Sequence, residues 1–98
     1  MITTLQARIG TWQTATFGEN QTVTGIDAHL SRELKELLDA PTEENEREES
    51  ADLVVLLMGR ATLRGFNLLD EVEKKFAVLQ TRTWGEPDHE GVISHVRF

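Results

Sequence analysis

Three observations predict an all-α chain of four helices with a short C-terminal tail. Apolar residues recur at three- and four-residue intervals in four successive stretches. Helix-capping and helix-stopping residues stand at the junctions, among them Thr42, Gly65 and Asn67. The composition, 39% apolar and 28% charged over 98 residues, is that of a globular protein with a packed core. At this length residues 1–98 are read as a single domain. So small a domain buries a modest share of its apolar surface, and association with copies of itself is expected.

The first helix is placed from Thr4 to about Thr16, where Leu5, Ile9, Trp12 and Ala15 keep helical spacing and Phe17-Gly18 supplies a stop. Gly18 to Thr24 is polar and read as a loop. The second helix, Ile26 to Leu38, carries Ile26, Leu30, Leu34 and Leu37 on one face. It ends by Ala40, because Pro41 disfavours helical geometry in the residue before it. Thr42 then offers a hydroxyl N-cap, with Glu43 and Glu44 in a first turn whose dipole favours carboxylates.

The third helix is predicted from Glu43 to about Arg64, closed by Gly65. Its first half is almost entirely charged, whereas Ala51 to Leu63 is apolar nearly all round, a pattern that calls for burial on all sides. Four short helices hardly provide that alone, so a second subunit is expected against it. Leu53 to Met58 taken by itself also fits a buried strand, but its helix-forming flanks decide for helix. Asn67 caps a fourth helix with Leu69, Val72, Phe76 and Leu79 on its stripe, ending near Thr83. From Trp84 onward Gly85, Pro87-Asp88 and Gly91 signal turns, followed by Val92 to Phe98 as a short extended or helical piece.

Seventeen acidic side chains against 10 basic ones give a net charge of −7, which offers no attraction to nucleic acid or an anionic membrane. With no cysteine there is no disulfide, thiolate zinc site or thiol nucleophile, and a reducing cytoplasm suits the chain. The N-terminus lacks a basic segment followed by a long apolar one, and the longest apolar run is Leu53 to Met58, so neither export nor a membrane span is expected.

Chemistry is concentrated in two acidic pairs. Glu33 and Glu36, and Glu49 and Asp52, are each three residues apart, which sets both members of a pair on one helix face. A chain reversal at Pro41 would make helices two and three antiparallel and bring the pairs together. Converging carboxylates repel and resist desolvation unless divalent cations neutralise them, and an all-oxygen site suits magnesium or manganese. One alternative is a solvated face, with Glu33 and Glu36 pairing with Arg32 or Lys35 and Glu43 to Glu49 an acidic helix start; a separate one is an acidic helical interaction module that mimics nucleic acid or binds a basic partner. Asp52 separates the cation site from the solvated face: preceding the apolar run, it is expected at the core boundary in need of a partner.

An E-x-x-E on one helix and an E-x-x-D on the next, ahead of an apolar helix, resembles the MazG-like all-α nucleoside triphosphate pyrophosphohydrolases. Trp12-Gln13, Thr16-Phe17-Gly18, His29-Leu30, Arg82-Thr83-Trp84, Pro87-Asp88, Gly91-Val92 and His95 extend the resemblance to the small dATP/dGTP diphosphohydrolase branch. The resemblance implies a helical fold that completes its bundle as a homodimer or homotetramer. It implies two or three Mg2+ or Mn2+ ions per site on Glu33, Glu36, Glu49 and Asp52. The implied reaction cleaves a purine deoxynucleoside triphosphate between its α and β phosphates, releasing pyrophosphate. Lys75 aligns with a family lysine expected to contact phosphate, assisted by Arg82. Where the family often has asparagine, four residues beyond Lys75, this chain has Leu79. Base recognition is then expected from Trp12, Gln13 and Phe17, for which core packing is the competing role. His29, one turn before Glu33, is within reach of that carboxylate, and His89 and His95 are read as tail-docking residues.

Overall fold

A computed structural model describes residues 4–97, which form four α-helices: α1 (Leu5–Phe17), α2 (Val23–Leu38), α3 (Glu43–Arg64) and α4 (Leu68–Thr81). They fall into two compact units, one through Leu68 and one from Leu69 onward. No helix among the described residues is long and apolar enough to cross a membrane.

In the first unit each of three helices is started by a threonine. The side chains of Thr4, Thr22 and Thr42 accept from the backbone N–H of Ala7, Gly25 and Asn45, satisfying a donor that the first turn leaves open. Thr22 is the cap the sequence reading overlooks, and α2 consequently begins at Val23 rather than Ile26. The chain between α1 and α2 is not wholly irregular either, since Gly18–Asn20 forms a 3-10 turn. α3 keeps its expected bounds. Gly65 ends it at φ 80°, and Phe66 N–H donates to Ala61 O at 3.0 Å, the left-handed closure that glycine adopts without steric cost.

Asp27 near the start of α2 pairs with Arg60 near the end of α3 at 2.6 Å, while Glu33 and Glu36 meet Glu49 at the other end. The two helices are therefore antiparallel. α1 also runs against α3, held through polar contacts. Gln6 Nε2 donates to Phe66 O at 2.8 Å and to Thr62 Oγ1 at 3.3 Å, and Gln6 Oε1 accepts from Leu68 N at 2.8 Å. Gln13, 4% exposed, donates from Nε2 to Gly59 O at 3.3 Å. A Cβ on Gly59 would lie 2.5 Å from Gln13 Oε1, so glycine makes room for this close approach.

Among the described residues the buried apolar side chains are Ile26, Met58 and Ala61. The expectation that Ala51 to Leu63 is enclosed on every side is not met within one chain: Val54, Val55, Leu57 and Leu63 remain exposed, as does Leu38 at 76%.

The second unit carries most of α4, which stops at Thr81, short of Thr83; its Leu69, Val72, Phe76 and Val78 are exposed. The following chain reverses at Asp88, whose Oδ1 accepts from the N–H of Glu90 and Val92 at 2.9 Å each. An antiparallel bridge then joins Trp84 to His95, with Gly85 N–H donating to Ser94 O at 3.0 Å. The tail is extended, one of the two forms expected; Phe98 lies outside the described residues.

Candidate active site

The antiparallel pairing of α2 and α3 brings one oxygen each of Glu33, Glu36 and Glu49 to within 4.8 Å of one another. Glu33 and Glu36 project from successive turns of α2, and Glu49 answers from the charged half of α3. Glu33 and Glu49 are half-buried, and Oε2 of each is closed from solvent without a hydrogen-bond partner. The ionised trio therefore has unmet acceptor capacity beside mutual repulsion. Its response is to hold a proton: Glu49 is pushed up to about 7, because a proton there can be shared with Glu33, burial disfavours the charge, and Glu33 and Glu36 repel it.

Asp52 departs from expectation. It is exposed, not at the core boundary, and stands outside the close trio. One turn beyond Glu49, it opens into an adjoining cavity of about 180 Å³ that Trp12, Phe17, Gln21 and His29 also line. His29 connects cavity and trio, with Nε2 at 3.2 Å from Glu33 Oε1. Glu36 is exposed, as a solvated face would have it, but no ion pair joins it or Glu33 to Arg32 or Lys35 among the described residues; the contact at Glu33 is the one with His29.

Trp12 and Phe17 meet edge to face with centroids 5.3 Å apart, and Trp12 is 55% exposed, so its ring is not core filling. Gln13 reaches the cavity wall but is engaged with Gly59. Lys75 and Arg82 belong to the second unit. There, burial and then the charges of Arg82, Arg97 and Lys75 hold the His95 imidazole below its ordinary range. Gln21 is the cavity residue that sequence reasoning missed; a glutamine in a polar loop carries no signal of its own.

A second, larger cavity of about 580 Å³ reaches Glu36 and Glu49, where Arg32, Lys35 and Asn45 also line it.

Known proteins resemble the chain over nearly its whole length. The dATP/dGTP pyrophosphohydrolase family matches residues 5–97. A dATP/dGTP diphosphohydrolase of Cyanophage S-2L is 29% identical over 92 residues, spanning 94% of this chain and 85% of the relative. A solved structure, the Cyanophage S-2L MazG-like pyrophosphohydrolase bound to dGDP and three catalytic Mn2+ ions per active site, superposes with a TM-score of 0.79 at 26% identity. That match covers 96% of this chain and 91% of the other. The four helices, the carboxylates that α2 and α3 bring together and the match over nearly the whole sequence lead to one assignment: the chain belongs to the dATP/dGTP pyrophosphohydrolase family and is a nucleoside triphosphate pyrophosphohydrolase with the MazG-like all-α fold.

Proposed function

We propose that this chain, acting as one domain, hydrolyses purine deoxynucleoside triphosphates, dGTP and dATP, to the monophosphate and pyrophosphate, using Mg2+ or Mn2+ held by Glu33, Glu36, Glu49 and Asp52. The observation that carries this reading is the trio itself, with two buried carboxylate oxygens left without partners. Such a cluster favours cation entry, and its all-carboxylate donors match hard ions that keep open positions for phosphate oxygens. The three Mn2+ ions of the related phage enzyme support a site of two or three ions.

When bound, the ions supply Lewis acidity at the phosphate oxygens and lower the pKa of the attacking water. The chain does the rest. In this reading Glu33, which His29 contacts, or Glu49 orients that water and takes its proton as it attacks the α phosphorus; their proximity in the trio supports the role. The bond from the α phosphorus to the bridging oxygen breaks, and pyrophosphate departs with the electron pair. Trp12, its ring set by Phe17, offers a face to the base, and Gln13 shapes the recess wall. Lys75 and Arg82 supply cationic contacts to phosphate.

Exposed large apolar residues on α3, and separately on α4, support assembly as a homodimer or homotetramer, since apolar surface of this kind is commonly covered by a partner. The acidic balance and lack of cysteine support a cytoplasmic enzyme that binds neither nucleic acid nor membrane.

Incubation with dGTP, dATP and other nucleoside triphosphates in Mg2+ or Mn2+ is expected to release pyrophosphate, and Asp52→Ala to abolish that release. No turnover of any nucleotide, together with binding to a basic protein, would instead identify an acidic interaction module.

A further inference from the structure

Beside the carboxylates, the aromatic recess contains a polar group that the fold does not satisfy. Gln21 is half-buried at its wall, and its Oε1 is closed from solvent without a hydrogen-bond partner. Native folds rarely leave a buried amide acceptor unpaired, because its water has been removed and nothing replaces it. The contrast with Gln13 is direct: that amide donates to Gly59 O and is wedged where even a Cβ would crowd it. The Gln13 nitrogen is thus engaged by the fold, whereas the Gln21 oxygen is a buried acceptor with no partner.

The surroundings specify what could fill it. Trp12 and Phe17 provide flat aromatic surface, which favours a planar heterocycle over a flexible chain. The unmet atom is an acceptor, so the heterocycle must bring an N–H. An exocyclic amino group on a purine supplies one at the ring edge, and an amide oxygen is a natural acceptor for it.

From this placement we infer that Gln21 is a specificity-determining residue, whose side-chain oxygen accepts a hydrogen bond from the exocyclic amino group of a purine base seated between the aromatic pair and the carboxylates. The inference rests on the proposed nucleotide hydrolysis and adds to it a named selector. Gln21 touches the base and not the reacting phosphate. Removing its acceptor should therefore change which bases are accepted more than how fast a bound triphosphate is cleaved.

The test is a cycle between substrate and side chain. Turnover of dGTP is compared with dITP, which lacks the 2-amino group, and dATP with purine deoxyriboside triphosphate, which lacks the 6-amino group. The comparison is made for the wild type, Gln21→Leu and Gln21→Glu, with helical content monitored by circular dichroism. The wild type should favour at least one amino-bearing nucleotide over its analogue by roughly tenfold or more in kcat/KM, as expected when a site built for an N–H is offered a base without one. Gln21→Leu should reduce that preference to near unity, and Gln21→Glu, which keeps an acceptor oxygen, should retain much of it. A wild type indifferent to the amino group, or a Gln21→Leu variant with undiminished preference, would overturn the role of Gln21 while leaving the hydrolase reading intact. A wild type that turns over no nucleotide overturns both.

Discussion

The amide of Gln6 and the carboxylates of Glu33 and Glu49 are all withdrawn from solvent within one three-helix unit, yet the amide is saturated and the carboxylates are not. Gln6 gives two hydrogen bonds and receives one, tying the start of α1 to the end of α3 and the first residue of α4. Glu33 and Glu49 each keep an oxygen with no partner and face like charges besides. A polar group retained for stability brings its own counterparts from the same chain, whereas one retained for binding is completed from outside. This difference separates structural from functional polar residues where burial alone does not.

The largest expected effect lies on the unsatisfied side. Glu33→Ala or Glu36→Ala should lower metal-dependent pyrophosphate release by about a hundredfold or more, since even the groups that support metal ligands cost about 10- to 100-fold when lost. Thermal melting of the metal-free variants should show no loss of stability. On the satisfied side the outcome reverses: Gln6→Ala should destabilise the fold by about 3 kcal/mol, on the order of 1 kcal/mol for each hydrogen bond removed, as read from denaturant titration. Turnover per folded molecule should be retained.

Much of this division was legible in residue spacing. The paired carboxylates of α2 and α3 could be read because i, i+3 periodicity fixes a shared face, and the bounds of α3 because Thr42 and Gly65 act through local backbone geometry. Gln6, Gln13 and Gln21 could not be sorted in this way. Their roles depend on partners 46 to 62 positions away in the first two cases and on an absent partner in the third. Asp52 lies less deep than its apolar successors imply, because its turn of α3 opens onto the aromatic recess. The bridge from Trp84 to His95 escaped for the same reason as the glutamines: pairing across a turn is not written in either segment alone.

A smaller effect probes the close approach that fixes Gln13. Gly59→Ala should cost about 1–3 kcal/mol as an overpacking change, because the new methyl displaces the Gln13 amide from Gly59 O. Its stability is expected to fall less than that of Gln6→Ala.

The gentlest test is titration of the metal-free protein. Glu49 is raised from 4.5 to about 7, so between these values the folded state binds more protons than the unfolded one. Stability should then decline as pH rises through that window and level off above it, and Glu49→Gln should flatten the profile. The same competition with protons should make divalent-cation affinity rise with pH up to about 7 and plateau beyond.

Calorimetric titration of Mn2+ into the nucleotide-free protein above that plateau addresses the carboxylate site most directly. Saturable binding by the wild type, lost in Glu49→Ala but kept in Gln6→Ala, is the result expected if Glu33, Glu36 and Glu49 form a cation site. Equal binding by wild type and Glu49→Ala, or none by either, would contradict it.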